Sequence, residues 1–147
     1  MNDIRILSAV DADELAAAIR AAGCAVTTTE RDGKTQLHSA SQGVGFQVLW
    51  GNAAETGGHV DFTLSCALRV SGGEVPRALL DGWQRGKRFA RLATHGELIV
   101  LEMDVVLVGG VTQAHLEAML RLWVMMTGEF LIHLRNTAAQ ADPAGVS

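Results

Sequence analysis

The run Leu98-Ile99-Val100-Leu101-Glu102-Met103-Asp104-Val105-Val106-Leu107-Val108 is an almost unbroken series of β-forming residues. Gly109-Gly110 closes it, and a helical pattern begins behind Val111-Thr112. So long and apolar a run belongs in the middle of a sheet, with strands on both sides and a covered face. Glu102 and Asp104 stand two apart in it and therefore share a face.

On the N-terminal side of this strand lies its hairpin partner. A two-residue turn at His95-Gly96 sets Leu92 against Ile99 and Ala90 against Leu101 on the core side. Arg91 then falls on the other side, one diagonal step from Glu102. Further back, Pro76 suits the first turn of a helix that carries Val75, Leu79, Leu80 and Trp83 and runs to about Gln84. Arg85-Gly86-Lys87-Arg88 ends that helix with cations where its dipole favours them. Trp83 and Phe89 read as core.

Gly72-Gly73 separates this helix from residues 60–70, where Val60, Phe62 and Leu64 alternate with Asp61, Thr63 and Ser65. Before them, residues 24–29 and 35–39 flank the turn dipeptide Asp32-Gly33, and 46–50 follow the Gly43/Gly45 break. These segments predict an antiparallel meander. A first helix precedes it. Asp11, three before Glu14, has the spacing of a capping box, and Val10 and Leu15 stand where a hydrophobic staple sits. Leu15, Ala18, Ile19 and Ala22 line one face, and Gly23 is the stop.

The order along the chain reads α-β-β-β-α-β-β-α, an α+β fold with helices packed on a largely antiparallel sheet. Residues 1–136 form this single domain, and 137–147 are expected to be a flexible tail with nothing to bury. No internal repeat or low-complexity segment interrupts it.

Composition agrees with one ordinary domain. Of 147 residues, 48% are apolar and 19% charged, and mean hydropathy is +0.20. This excludes a disordered or fibrous chain. The net charge of −4 runs against gripping a phosphate backbone, so nucleic acid is not the expected partner. The longest apolar runs, 105–108 and 122–126, fall far short of the ~20 residues that span a bilayer, and no membrane is expected as a partner. The start of the chain has no basic segment followed by a long apolar run, so the expectation is a cytoplasmic protein without a signal peptide. Cys24 and Cys66 each sit in an apolar run, as buried thiols do.

No catalytic constellation stands out. Glu102 and Asp104 form a carboxylate pair of the kind that works as acid and base or holds a cation. The alternative is an ion pair with Arg91 or Arg88, and that reading is favoured. Arg88, Arg91, Glu102 and Asp104 are thus the one candidate polar site. The histidines His38, His59, His95, His115 and His133 show no HxxxH or HExxH spacing, and Glu129 and His133 form only an i,i+4 pair. No metal and no cofactor are expected. There is no GxSxG elbow, and the glycine pairs lack the context of a phosphate-binding loop.

The last helix is the most informative segment. It is capped by Thr112, with Val111 and Leu116 as staple, and is expected to run to about Arg135. Leu116, Met119, Leu120, Trp123, Val124, Met126, Phe130, Leu131 and Leu134 make one face, which packs on the sheet. Ala118, Leu122, Met125 and Ile132 lie outside it as a second stripe. A helix covering one sheet needs only the first. The second is either intrachain core or a surface for another copy or a protein client, and methionine suits an adaptable contact.

From Trp83 to Phe130 the ordered combination of Trp83, Arg88-Phe89, Arg91, the Gly96 turn, Leu101-Glu102 with Asp104, and Gly109-Gly110-Val111-Thr112 resembles the YbjN domain family of bacterial proteins. The helix ending at Gly23, the Asp32-Gly33 turn and the strand pattern are similar too. Gln84 departs from the family, which tends to place Asn after the Trp. The resemblance implies a fold like the type III secretion chaperones, which are small α+β homodimers that bind protein segments. It also implies a role as a sensory transduction regulator, with no enzymatic activity. The expected function is therefore a non-enzymatic protein-binding module, acting as a homodimer through the apolar helix surface. The alternative is a small-molecule sensor or unrecognised enzyme built around Glu102, Asp104 and Arg91.

Overall fold

The computed structural model describes residues 4–141 except Ser71 and Gly73. Half of the expected Gly72-Gly73 break and the end of the expected tail, residues 142–147, lie outside the described residues. The chain runs β1 (Ile6–Leu7), α1 (Ala12–Ala21), β2 (Val26–Arg31), β3 (Lys34–Ser41), β4 (Val44–Trp50), β5 (Asp61–Arg69), α2 (Arg77–Gly86), β6 (Arg91–His95), β7 (Leu98–Val106), β8 (Val111–Thr112) and α3 (Gln113–Ala141). A six-stranded antiparallel sheet has the order β2-β3-β4-β5-β7-β6, and β1 pairs separately with β8. The α+β architecture is the expected one.

Local chemistry accounts for the boundaries. Asp11 accepts from the Glu14 N–H at 2.8 Å, and Glu14 accepts from the Asp11 N–H at 3.1 Å. This completes the capping box at the start of α1. At its other end, Cys24 N–H donates to the Ile19 carbonyl and Gly23 N–H to that of Arg20, a Schellman closure that needs the φ of +94° at Gly23. Asp32-Gly33 and Gln42-Gly43 both carry positive φ at each residue, the signature of the tight turns that suit a twisted hairpin. Thr112 caps α3 by accepting from the His115 N–H at 2.9 Å.

Four expectations require correction. The segments between the first two helices make four strands, not three, because each is separated by its own turn or loop. β1 and β8 are extra, and at two residues each they are too short to show a periodicity. α3 runs past Arg135 to Ala141, since Asn136-Thr137 lead into the strong helix formers Ala138, Ala139 and Gln140. The β6–β7 turn is Gly96-Glu97, with Gly96 at φ +61° in the leading position that a glycine-first turn requires. That moves the register by two, pairing Leu92 with Leu101 and Arg91 with Glu102.

The register also decides which face is buried. Leu37, Phe46, Val48, Phe62, Leu64, Cys66, Leu92, Ile99, Leu101, Met103 and Val105 share one face of the sheet. They form a single core with Leu15, Ile19, Trp83, Leu116, Trp123 and Phe130 of the helices. The opposite face bears Gln47, Leu49, Thr63, Ala67, Arg91, Glu102, Asp104 and Val106, and among the described residues no helix covers it. One buried polar contact stitches α3 to β3, where Thr127 and Ser41 hydroxyls meet at 3.0 Å. No helix among the described residues is long and apolar enough to cross a membrane.

Candidate functional site

Three of the four polar candidates converge on the bare face of the sheet. Arg91 on β6 lies directly opposite Glu102 on β7 and one step diagonally from Asp104. Its guanidinium forks onto Asp104, Nη1 donating to Oδ2 at 2.8 Å and Nη2 to Oδ1 at 3.2 Å. Its Nε stands 3.3 Å from Glu102 Oε1. Thr63 on β5 donates to Asp104 Oδ1 at 2.6 Å. Arg88 is not part of this group. It lies with its guanidinium 4.9 Å from the centre of the Phe89 ring.

The hydrogen bonds from Arg91 and Thr63 hold the Asp104 carboxyl below its ordinary 3.8, and donating to Asp104 raises the Arg91 guanidinium further. A carboxylate kept ionised is the opposite of a general acid. Both oxygens of Asp104 are already engaged, so the cluster is a satisfied ion-pair network lying across the sheet. Its folding contribution is present above the carboxyl's unfolded pKa and fades as pH falls through its depressed folded value. Asp104→Asn should accordingly flatten the loss of stability below about pH 4, while lowering stability at neutral pH by under about 1 kcal/mol, because the pair is solvent-screened. Urea unfolding at pH 7 and pH 3 measures both.

Other candidates disperse. His133 Nε2 is 2.8 Å from the Leu79 carbonyl, whereas Glu129 faces Lys87 at 3.5 Å, so the two do not converge on a common ion. Among the described residues no three His, Cys, Asp or Glu side chains come together as metal ligands. Both cysteines are free. Burial pushes the Cys66 thiol up to about 11, which leaves it without the thiolate needed for nucleophilic attack at neutral pH.

The second stripe of α3 divides. Leu122 is half-buried and packs against the core, which makes it chiefly an intrachain residue. Ala118 is exposed, and Met125 and Ile132 stand 54% and 53% exposed. A groove of about 510 Å³ runs beside the last two, lined also by Gln42, Gly128, Leu131 and Arg135. The small side chain of Ala118 leaves room for another surface to approach, whereas the Gln42 side chain already lies over Gly128.

Two features carry no signal in the sequence. Trp50 and His59 stack at 4.6 Å in the wall of a cleft of about 340 Å³ beside the start of α1. The amides that would greet an anion there are partly spent, since the capping box already occupies those of Asp11 and Glu14. Phe89, expected in the core, is 58% exposed. Its backbone lies at φ +77°, which swings the ring away from the sheet, and no periodicity announces a single residue of this kind.

Comparison with known proteins adds one finding. A family model described as "YbjN: Putative bacterial sensory transduction regulator" matches residues 11–136. No curated protein matches the chain.

Proposed function

The chain belongs to the YbjN family, and on that footing we propose that it is a non-enzymatic, cytoplasmic protein-binding regulator that works as a homodimer. Residues 1–136 are the working domain, of the type III secretion chaperone kind, and α3 carries the chain beyond it to Ala141. Contact is made through the outer face of α3, with Met125 and Ile132 as the apolar points and Ala118 as the small one; Leu122 supports the helix from within.

The observation that carries this reading is the exposure of Met125 and Ile132 along one groove of the longest helix. Paired apolar side chains beside a groove lose contact with water only when another surface arrives. The family's description as a regulator supports binding over catalysis. So does the Arg91–Asp104–Glu102 cluster, whose groups are spent on one another.

The test is light scattering of wild type beside Met125→Asp and Ile132→Asp. Wild type should weigh twice 15.6 kDa, and each variant should weigh a single chain with an unchanged circular dichroism spectrum. Because both sites are more than half exposed, the variants should lose less than about 1 kcal/mol of stability. A monomeric wild type would sink the homodimer, and unfolded variants would make the stripe part of the core.

A further inference from the structure

Phe89 occupies a backbone conformation that its side chain disfavours. Its φ is +77°, and the Ala90 N–H donates to the Arg88 carbonyl at 2.9 Å. Together these make a γ-turn of the rarer, strained hand, centred on an aromatic residue. A turn needed only to change direction would hold glycine there, as Gly23, Gly33 and Gly96 do elsewhere in this chain. Nor does the ring repay the strain by burial, since it is 58% exposed.

The flanking structure holds the turn in place. Trp83 Nε1 donates to the Ala90 carbonyl at 2.8 Å. The Gln84 side chain meets both backbone groups of Leu92, donating to its carbonyl at 2.6 Å and accepting from its N–H at 3.4 Å. Two successive residues of α2 thus clamp the chain just beyond Phe89. Strain over-determined by its surroundings, with an exposed aromatic ring at its apex, is a pattern that accompanies recognition.

Charge narrows the partner. Arg88 lies over the ring, and Arg85 stands one turn earlier at the end of α2. Neither is ion-paired among the described residues, although the chain as a whole carries −4. Two residues before the ring, Lys87 lines a cleft of about 120 Å³ with Ile132, so this loop adjoins the α3 stripe. We propose that the Phe89 tip anchors an acidic protein segment, its ring seated among aliphatic side chains and Arg88 and Arg85 facing carboxylates. A fluid bilayer accepts an aromatic ring in any orientation and gains nothing from a strained, fixed one. A protein surface gains from that fixed presentation, because no ordering is left to be done on binding.

This inference rests on the protein-binding reading and is tested separately from it. Random dodecapeptides displayed on phage are selected against the wild-type protein. Enriched peptides should be rich in Asp and Glu around an aliphatic residue and should bind Phe89→Gly roughly 30-fold or more weakly. The same substitution relieves the strained φ, so its Tm should equal or exceed wild type by about 2–4 °C. Arg88→Glu should weaken the same peptides at unchanged Tm. A fall in Tm for Phe89→Gly would make the ring structural and overturn the proposal. So would binding to anionic phospholipid vesicles or oligo-dT that Phe89→Gly abolishes while peptide binding persists. Peptides that bind Phe89→Gly normally but not Met125→Asp overturn this anchor and leave the protein-binding reading standing. Failure to enrich any peptide overturns this anchor, while light scattering decides the homodimer on its own.

Discussion

Replacing Trp83 with alanine is expected to destabilise the chain by about 3–5 kcal/mol, a large share of the ~5–15 kcal/mol that holds an ordinary domain together. Trp83 is fully buried, with its ring edge-on to Phe130 at 6.0 Å and to His133 at 5.6 Å. It therefore joins α2 to α3, and its bond to the Ala90 carbonyl joins α2 to the start of β6. Removing it empties the space where three elements meet. Trp83→Phe separates packing from hydrogen bonding. It keeps most of the ring but leaves a carbonyl without its donor, for a loss of about 1–3 kcal/mol. Trp123 provides the contrast. It is equally buried, against Phe46 at 5.7 Å, but its indole N–H finds no acceptor among the described residues. Trp123→Phe removes a donor that contributes nothing, so it should cost less than Trp83→Phe. Urea midpoints followed by circular dichroism rank the variants, and equal losses for the two phenylalanines would deny the Trp83 bond its role.

Gly58→Ala should be nearly as damaging, at about 3 kcal/mol. Gly58 has φ +75°, and a Cβ there would lie 2.7 Å from the Val10 carbonyl oxygen and 2.9 Å from its carbon. That backbone has no freedom to retreat. Val10 N–H donates to His59 at 3.0 Å and His59 N–H returns to Val10 at 2.8 Å, a two-way bridge that fixes the entry to α1. Gly57 is the control: its φ is +101°, but nothing lies within 4 Å of the added atom. Gly57→Ala should show the conformational strain alone, about 1–2 kcal/mol, and the difference measures the close approach. Similar Tm values for both variants would mean that the Val10–His59 bridge yields.

Gly58 and Trp83 also illustrate what a sequence exposes and what it conceals: their residue types are plain, their neighbours are not. Caps and tight turns are local chemistry, so the Asp11–Glu14 box, the Gly23 stop, the Asp32-Gly33 turn and the Thr112 cap are legible in the order of residues alone. The central strand is legible too, because pairing on both edges and burial of one face leave a nearly unbroken run of β-forming residues. Register is not: moving the turn from His95-Gly96 to Gly96-Glu97 leaves every alternation intact and changes only which side chains face each other. That shift sets Arg91 against Glu102 and aims its fork at Asp104, so the polar cluster is foreseeable in membership but not in geometry. Arg88 and Phe89 are misplaced together by sequence reasoning, since hydrophobicity alone says "core" and a positive φ leaves no trace in composition. Gln84, whose amide serves the outer backbone of β6, becomes intelligible only once the strand's unpaired edge is in view.

The pairing of β5 with β7 has a consequence for how the chain reaches its native state. β2 through β5 are joined in sequence, each to the next, and β6 to β7 likewise. The β5–β7 seam alone bridges Arg69 to Leu98 across the whole of α2 and β6. Closing it brings together two pieces that can each assemble from neighbours in sequence, and the entropy of ordering the intervening chain falls due at that step. The slow event in folding is therefore expected to be the docking of a finished meander onto a finished hairpin, which stopped-flow refolding would show as a single slow phase sensitive to substitutions at Leu64 and Met103. Until it happens, Leu64, Cys66, Leu101 and Met103, the centre of the mature core, remain two half-interfaces open to water and to other chains.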